Sequence, residues 1–239
     1  MIILEEVKEK IKRLEPLTSE DKRLYLSYAL TSHTGKMEGI DSFSTAAEKN
    51  ERCKARAKNP DLICFYCYAI SIAEMRKGLK EKLILNTIFF TTYRLEKKDI
   101  PFINSAVFRL ESFGDLNNTT QAINYILIVT VNSHCYFAWW SKNPDIIKKA
   151  MKEEGLKDLP VNTDIIYSIP EINPCMTRKI FLELKKEYPF IKKLFGVFTK
   201  QYIQENDIVI NCGAKACLQK CRKCYTKSDR TIFIREQKK

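Results

Sequence analysis

The sequence lacks several features that would identify a common class of protein. No apolar run approaches the roughly 18 residues needed to cross a bilayer, so we expect no membrane span. The apolar start of the N-terminus is too short for a secretory signal, and we therefore expect a cytoplasmic protein with reduced thiols. With only two histidines, His33 and His134, and no glycine-rich phosphate loop, the sequence offers no argument for a Ser-His-Asp triad or a nucleotide-binding loop.

Glycine and proline are also scarce, whereas positive charge is abundant. Seven glycines and eight prolines in 239 residues are too few for a low-complexity linker, and the length suits one main domain. The formal net charge is +12. Such a charge is typical either of solvated lysine-rich helix faces or of a protein that contacts nucleic acid, and charge alone does not choose between them.

The chain alternates between strand-like and helix-like segments. Residues 1–30 have apolar side chains at helical spacing, whereas residues 46–66 show no period and are interpreted as a structured loop. The other predicted helices are 67–90, 119–131 and 144–154, and the predicted strands are 40–45, 107–111, 136–140, 164–168 and 194–198. This alternation predicts an α/β fold, either a partial (β/α) barrel or an open parallel sheet.

These segments suggest three parts of the chain. Residues 1–30 form an N-terminal helical segment, and residues 31–205 form an α/β core that carries a three-cysteine loop. Residues 206–239 form a cysteine-rich, metal-binding C-terminal segment. Polar residues follow several of the predicted strands, and parallel strands place such residues together at their C-terminal ends, so we expect one pocket there.

Four of the nine cysteines lie close together near the C-terminus, in the pattern Cys212-x4-Cys217-x3-Cys221-x2-Cys224. The residues between them are largely charged, including Lys215, Arg222 and Lys223, so the thiols have no apolar face on which to pack. Four thiolates at this spacing are typical of tetrahedral zinc or of a 4Fe-4S cluster. A single short Cys-x2-Cys pair favours the cluster, because zinc sites more often contain two.

A second group consists of Cys53, Cys64 and Cys67, between the first predicted strand of the core and a helix. Three thiolates can hold three irons of a second 4Fe-4S cluster and leave the fourth iron open to a cofactor or substrate. The alternatives are a zinc site completed by His33 or Cys135, or buried free thiols. Cys135 and Cys175 are otherwise expected to be ordinary core or loop residues.

Several segments, taken in order, resemble a known family. They are Thr34-Gly35-Lys36-Met37, Ser42-Phe43-Ser44-Thr45, Cys53, Cys64-Phe65-Tyr66-Cys67-Tyr68-Ala69, Arg109 to Asp115, Trp140-Ser141-Lys142-Asn143, and Asn211-Cys212-Gly213 through Cys224-Tyr225. Together they resemble the phage "gene product eighty-eight"-like proteins of bacteriophages and mobile elements. The likeness covers roughly residues 30–226 and implies a phage or mobile-element protein, with no activity attached.

The arrangement is also similar in outline to radical S-adenosylmethionine enzymes. That resemblance implies that an open iron on the three-cysteine cluster chelates S-adenosylmethionine and that the four-cysteine group is an auxiliary cluster. It places the residues from Glu111 to Asp115 where the amino group of the cofactor is held. The sequence departs from those enzymes in one respect, because ten residues separate Cys53 from Cys64 where they usually have three.

The candidate site residues follow from these patterns. Glu111 and Asp115 are candidate catalytic acids or bases, although they could instead cap the helix that begins near Thr119. The candidate cofactor-binding residues are Ser112, Gly114, Asp115, Ser141 and Lys142. Of the adjacent Trp139 and Trp140, one is expected in the core and the other near the pocket. Two functions remain open: a radical S-adenosylmethionine-like iron–sulfur enzyme, or a non-catalytic zinc- or iron–sulfur-stabilised protein that binds nucleic acid.

Overall fold

The structure is a computed structural model that describes residues 3–175, 178–213, 216–227 and 232–238, with the side chains of Arg178 and Lys220 left out. Lys215, expected beside the C-terminal thiols, lies outside these residues. The helices are α1 (Leu4–Lys12), α2 (Ser19–Ala29), α3 (Glu51–Arg56), α4 (Tyr68–Met75), α5 (Lys77–Thr92), α6 (Thr119–Val131), α7 (Pro144–Glu153), α8 (Arg178–Glu187) and α9 (Lys200–Glu205). The strands are β1 (Thr31–Ser32), β2 (Asp41–Phe43), β3 (Val107–Leu110), β4 (Tyr136–Ser141), β5 (Thr163–Ile172), β6 (Ile191–Phe198) and β7 (Ile232–Gln237).

Within the described residues, seven strands form one open sheet in the order β1 to β7. β1 is antiparallel to β2, and every later strand is parallel to its neighbour. The predicted α/β fold with a parallel sheet is therefore confirmed. Because β2 to β6 run parallel to one another, their C-terminal ends lie along one edge of the sheet, which we call the C-terminal edge.

Helices cover one face of the sheet. On that face alternate strand residues such as Phe108, Phe137 and Ile165 are buried in one continuous apolar core. α5 and α6 supply much of its helical part; α6 is buried almost all round, so its sequence is apolar on every face rather than on one stripe. Burying one such side chain contributes roughly 1.5–3 kcal/mol, so this core accounts for most of the driving force for the fold.

The C-terminal segment covers part of the opposite face. There Cys224 and Tyr225 pack with Ala138, Ile166 and Ile234 in a second apolar cluster. The ammonium of Lys193 is fully buried on this face and donates to the carbonyl oxygens of Cys224 at 3.1 Å and Thr226 at 2.7 Å, while pairing with Asp164 at 3.0 Å. The segment is thus fixed to the sheet by both polar and apolar contacts, and β7, which follows it, pairs with β6.

Local differences from the sequence expectations have identifiable causes. Residues 46–66 contain α3 rather than only loop, because the side chain of Asn50 caps its first turn. The predicted helix at 67–90 is interrupted at Arg76, which has an extended backbone. β5 continues past Pro170 to Ile172, and its pairing with β6 is irregular between Ser168 and Ile172, as expected where a residue lacks an N–H.

None of the described helices is long and apolar enough to cross a bilayer. α1 and α2, the predicted N-terminal helical segment, pack on α5 through Val7, Ile11 and Tyr25 in the main core. The hydroxyl of Tyr25 donates to Asn86 at 2.9 Å, and Asn86 in turn donates to the backbone oxygen of Ser44 at 2.9 Å. The first helices therefore support the end of β2, where the candidate site begins.

Candidate metal centres

The three-cysteine segment is fixed at the C-terminal edge by Asn50. Its side-chain oxygen accepts from the backbone N–H groups of Arg52 at 3.0 Å and Cys53 at 3.2 Å, which starts α3. Its side-chain nitrogen donates to the backbone oxygens of Asp115 and Leu116, both at 3.0 Å. One asparagine thus holds Cys53 against the segment that follows β3, a role that the Asn-x2-Cys spacing could have indicated.

The rest of the segment crosses the edge of the sheet as far as β5. The backbone N–H of Ile172 donates to the oxygen of Asp61 at 3.0 Å, and Leu62 forms a bridge with Glu171. Cys64 then lies buried in a short 3-10 turn, Ile63–Tyr66, and Cys67 directly precedes α4. The long interval between Cys53 and Cys64, which departs from the radical-enzyme pattern, is therefore the part of the chain that spans the strand ends.

The three thiols lie within electrostatic range of one another. Burial raises the pKa of Cys53, with further increases from Asp115 and from the other two thiols and a decrease from Lys142. Burial likewise raises the pKa of Cys64, opposed by Lys142 and Arg56. In the described part of the chain, however, no three Cys, His, Asp or Glu side chains already lie close enough to hold a metal ion. Convergence of the sulfurs on a metal stays a prediction.

Asp115 joins the ends of β3 and β4. It is 2% exposed and accepts hydrogen bonds from the Ser141 hydroxyl at 2.6 Å and from the backbone N–H of Lys142 at 3.0 Å. The N-cap of α6 is Asn118, whose side chain accepts from Gln121, so the helix-capping alternative for Asp115 is wrong. The Ser141 hydroxyl and the backbone N–H of Lys142 both donate to Asp115. The positive charge of the Lys142 side chain lowers the pKa of Cys53 and of Cys64.

Glu111 is enclosed by hydrogen-bond donors. Its carboxyl group accepts from Tyr125 at 2.6 Å, from Gln121 at 2.7 Å and from the backbone N–H of Thr45 at 3.1 Å. Burial raises its pKa to about 7, partly offset by the Tyr125 and Thr45 hydrogen bonds. Its backbone has φ 62°, a left-handed conformation that is uncommon outside glycine. Glu111 is 2% exposed, as is Asp115, and its donors connect the end of β3 to Thr45 and to α6. Its role as a catalytic acid or base stays a prediction.

Ser112 and Gly114 have different environments although both were predicted to bind cofactor. A Cβ at Gly114 would lie 2.5 Å from the backbone oxygen of Thr45, so glycine is required there by close packing. Ser112 is 3% exposed, and its hydroxyl has no hydrogen-bond partner among the described residues. A buried hydroxyl without a partner costs about 1–3 kcal/mol, so the site has polar capacity left for a ligand.

Arg56 is a site residue that sequence reasoning missed. Its guanidinium donates to the side chain of Asn143 at 2.7 Å and to the backbone oxygen of Lys142 at 3.2 Å, and lies 3.8 Å from the Asp115 carboxylate. One terminal nitrogen, Nη1, is buried without a hydrogen bond in the described part of the molecule. In sequence Arg56 resembles any solvated helix residue, because its partners come from the ends of β3 and β4.

The four C-terminal cysteines line one small cavity. A π-helical turn, Cys217–Cys221, is followed by Arg222 with φ 53° and by a 3-10 turn, Lys223–Tyr225, that contains Cys224. Cys212 closes the cavity from the end that pairs with β7. Lys36 from the first part of the chain also lines it. Burial raises the pKa of Cys212, and the neighbouring Glu236 raises it further.

By residue type the lining of this cavity matches a thiolate-bound metal site, although here too no three of the described side chains already lie close enough to hold an ion. Four sulfurs with cations beside them suit a centre whose net charge is negative, either tetrahedral zinc or a 4Fe-4S cluster. Lys36 and Arg109 oppose the rise in the Cys217 pKa that burial causes. Arg109 lies over the ring of Trp140 at 4.4 Å and within 3.5 Å of the Tyr225 hydroxyl. Trp140 therefore faces this side of the sheet, whereas Trp139 is fully buried in the helical core.

Cys135 and His33, the residues expected to complete a zinc site with the three cysteines, have different surroundings. Cys135 precedes β4 and is buried in the helical core, at the opposite end of the strand from Ser141. The six steps of extended chain from Cys135 to Ser141 span roughly 20 Å, so Cys135 cannot be the fourth ligand. His33 bonds to the hydroxyl of Ser42 at 2.8 Å, and burial lowers its pKa to about 4. Cys175 is exposed, as expected for a loop residue.

Comparison of the chain with protein-family models, with curated proteins and with solved structures gave no match. The function is therefore argued from the geometry of the two cysteine groups. The three-cysteine group lies at the C-terminal edge of a parallel sheet, where Asn50 joins Cys53 to Asp115, and the four-cysteine group lies on the face of the sheet opposite the helices.

Proposed function

We propose that this chain is an iron–sulfur protein in which Cys53, Cys64 and Cys67 hold a 4Fe-4S cluster with one open iron, and that it acts as a radical S-adenosylmethionine-like enzyme. The observation that carries the proposal is the position of the three-cysteine segment at the C-terminal edge, where Asn50 joins the backbone of Cys53 to those of Asp115 and Leu116. Ligands of parallel α/β folds bind at that edge. The four C-terminal cysteines are proposed to hold an auxiliary 4Fe-4S cluster, with zinc as the alternative metal.

The residues around the three thiols fit a small zwitterionic cofactor. Two buried donors make no hydrogen bond among the described residues: the hydroxyl of Ser112, three residues before Asp115, and Nη1 of Arg56, which lies 3.8 Å from the Asp115 carboxylate. A carboxylate bound there would accept from Arg56, and an ammonium would be attracted by Asp115, each through charge-assisted hydrogen bonds. Lys142 adds a positive charge that lowers the cost of gathering thiolates. A loaded centre of this type supplies single electrons to the bound cofactor.

The proposal assigns protein groups to binding and positioning. Asp115 holds the ends of β3 and β4 together by accepting hydrogen bonds from Ser141 and Lys142. It thereby fixes the C-terminal edge next to the three-cysteine segment. Arg56 ties α3 to Asn143, so that Cys53 and the end of β4 keep a fixed distance. The positions were expected from the sequence, whereas the hydrogen bonds indicate that Asp115 orients its neighbours instead of standing free.

The test is an anaerobic incubation of the reconstituted full-length protein with dithionite and S-adenosylmethionine. We expect an absorbance band near 400 nm and release of 5′-deoxyadenosine. Replacing Cys64 with Ala should abolish release and lower the iron content by about half, since the other group is independent. The matched control, Cys175→Ala, changes an exposed thiol outside both groups and should alter neither. Iron at both groups without any 5′-deoxyadenosine would refute the enzymatic proposal.

A second candidate function is favoured by one surface feature. Phe65, Tyr66 and Tyr68 are 47%, 51% and 55% exposed beside the three cysteines, on a chain with a net charge of +12. Exposed aromatic rings among basic residues are typical of single-stranded nucleic-acid binding. The test is fluorescence anisotropy with labelled single-stranded DNA and RNA at several salt concentrations. A metal-stabilised nucleic-acid-binding protein would bind with strong salt dependence and lose affinity in Tyr68→Ala, whereas no binding would refute this candidate.

A further inference from the structure

The turn formed by Thr34-Gly35-Lys36-Met37 has no part in the proposed enzymatic site. Gly35 begins it with φ 66°, in the left-handed region that suits glycine, and residues Gly35–Met37 form a 3-10 turn. This conformation carries the Lys36 side chain to the cavity lined by the four C-terminal cysteines. The turn and the cavity are about 180 residues apart in the chain, so only the fold brings them together.

Lys36 has two polar partners there. Its ammonium lies 2.7 Å from a carboxylate oxygen of Glu236 and 3.7 Å from the sulfur of Cys212. Cys212 itself is fixed to β7, because its backbone N–H donates to the oxygen of Arg235 at 3.0 Å. Lys36 therefore links a candidate metal ligand to the strand next to it, with Glu236 holding the ammonium in place.

Charge explains why this position favours a lysine. Four thiolates around a divalent ion or a 4Fe-4S cluster leave a net negative charge, and Glu236 adds another beside them. Two other cations that line the cavity are engaged with the backbone, because Lys223 donates to Asn211 at 2.8 Å and Arg222 donates to Leu218 at 2.6 Å. An ammonium between Glu236 and Cys212 opposes the repulsion and donates a hydrogen bond to the sulfur.

We infer that Lys36 is a positioning residue of the four-cysteine centre, where it donates to the Cys212 thiolate and shields it from Glu236. The inference rests on the proposed metal at that centre, although it holds for zinc as well as for an iron–sulfur cluster. The next residue, Met37, holds the same turn to β3, since its sulfur lies 3.1 Å from the guanidinium of Arg109. Partners of this kind, one shell beyond the metal, typically change metal affinity about 10- to 100-fold when removed.

The test measures the rate at which the reconstituted full-length protein loses its metal to pyridylazoresorcinol, a chelator that reports iron and zinc. Lys36→Met should release metal at least about 10-fold faster than wild type. Lys36→Arg should stay close to wild type, because it keeps the charge and the donor. Lys36→Met combined with Glu236→Gln should recover part of the difference, since the repelling carboxylate is gone. Lys157→Met, at an exposed position, is the matched control.

The outcomes separate this inference from the proposed function. Equal release rates for Lys36→Met and Lys157→Met would overturn the role of Lys36. The role would also be overturned if Lys36→Arg released metal as fast as Lys36→Met and if adding Glu236→Gln to Lys36→Met did not slow the release. That pattern would indicate a merely structural role. Elemental analysis of the wild type reports on the proposed function: zinc in place of iron would refute the auxiliary cluster but leave the comparison of rates intact. A thermal unfolding curve for each variant confirms that it is folded.

Discussion

Replacing Glu111 with Gln tests whether the buried carboxyl group is neutral in the folded protein. Burial raises its pKa from the usual 4.5 to about 7. When a group holds its proton more tightly in the folded protein, the protein loses stability as the pH rises from the unfolded-state pKa of that group to its folded-state pKa. One pKa unit corresponds to about 1.4 kcal/mol. The free energy of unfolding of the wild type should therefore fall by roughly 3 kcal/mol between pH 4.5 and pH 8 through this one group.

The Gln variant cannot ionise, so it lacks this loss. Its amide nitrogen must face either the Thr45 N–H or the Gln121 side chain, both of which donate to Glu111 in the wild type. Near pH 5 we therefore expect the variant to be about 1–3 kcal/mol less stable than the wild type. By pH 8 the wild type has lost its advantage, and the two free energies of unfolding should be similar or reversed in order.

Urea denaturation followed by tryptophan fluorescence at pH 5, 6, 7 and 8 measures the difference, with both proteins loaded to the same metal content. Other groups that titrate in this range, such as His33, are common to both proteins and cancel. Tyr125→Phe removes a donor that lowers the Glu111 pKa, so it should move the pH-dependent range upward. A difference in unfolding free energy that does not change with pH would show that Glu111 is ionised throughout and that its donors outweigh burial.

Two further predictions concern packing and a buried ion pair. Gly114→Ala should lower the free energy of unfolding by about 1–3 kcal/mol, because the new Cβ would lie 2.5 Å from the Thr45 backbone. The control, Gly78→Ala, places a Cβ where no atom lies within 4 Å, so it should be neutral or stabilising. Equal effects of the two substitutions in denaturation would contradict the steric argument. Lys193→Met leaves Asp164 buried without its 3.0 Å partner and should lower the free energy of unfolding by about 3–5 kcal/mol in the same assay. Adding Asp164→Asn to Lys193→Met should recover part of this loss. A loss below about 1 kcal/mol would refute the pairing.

Local signals were sufficient for the elements that frame the C-terminal edge. The apolar run of α6, the proline that begins α7 at Pro144 and the β-branched core of β5 each specify their own conformation. Because parallel strands end at one edge, the polar residues after β3 and β4 could also be expected to meet. Asp115 and Ser141, predicted together from their positions, do so through a 2.6 Å hydrogen bond.

The contacts that surround the thiols had no local signal. Lys36 and Glu236 are 200 positions apart, and nothing in either neighbourhood distinguishes them from solvated surface residues. Lys193 is fully buried, although its sequence context, between Lys192 and Leu194, resembles an exposed strand. α8 was missed because its sequence is mostly charged, and charge does not reveal which stripe of a helix packs on the sheet. Such pairings depend on register between distant strands, which the fold alone determines.

The order of the strands has a consequence for how the protein is made. From β2 onward each strand pairs with the strand that precedes it in the chain, so a nascent polypeptide can add one strand at a time as it leaves the ribosome. The three-cysteine segment, between β2 and β3, emerges early, but it completes its contacts only once β5 is present, because Asp61 and Leu62 pair with Ile172 and Glu171. Cys212 to Cys224 emerge between β6 and β7, after most of the sheet exists. The two cysteine groups are thus completed at different times during synthesis.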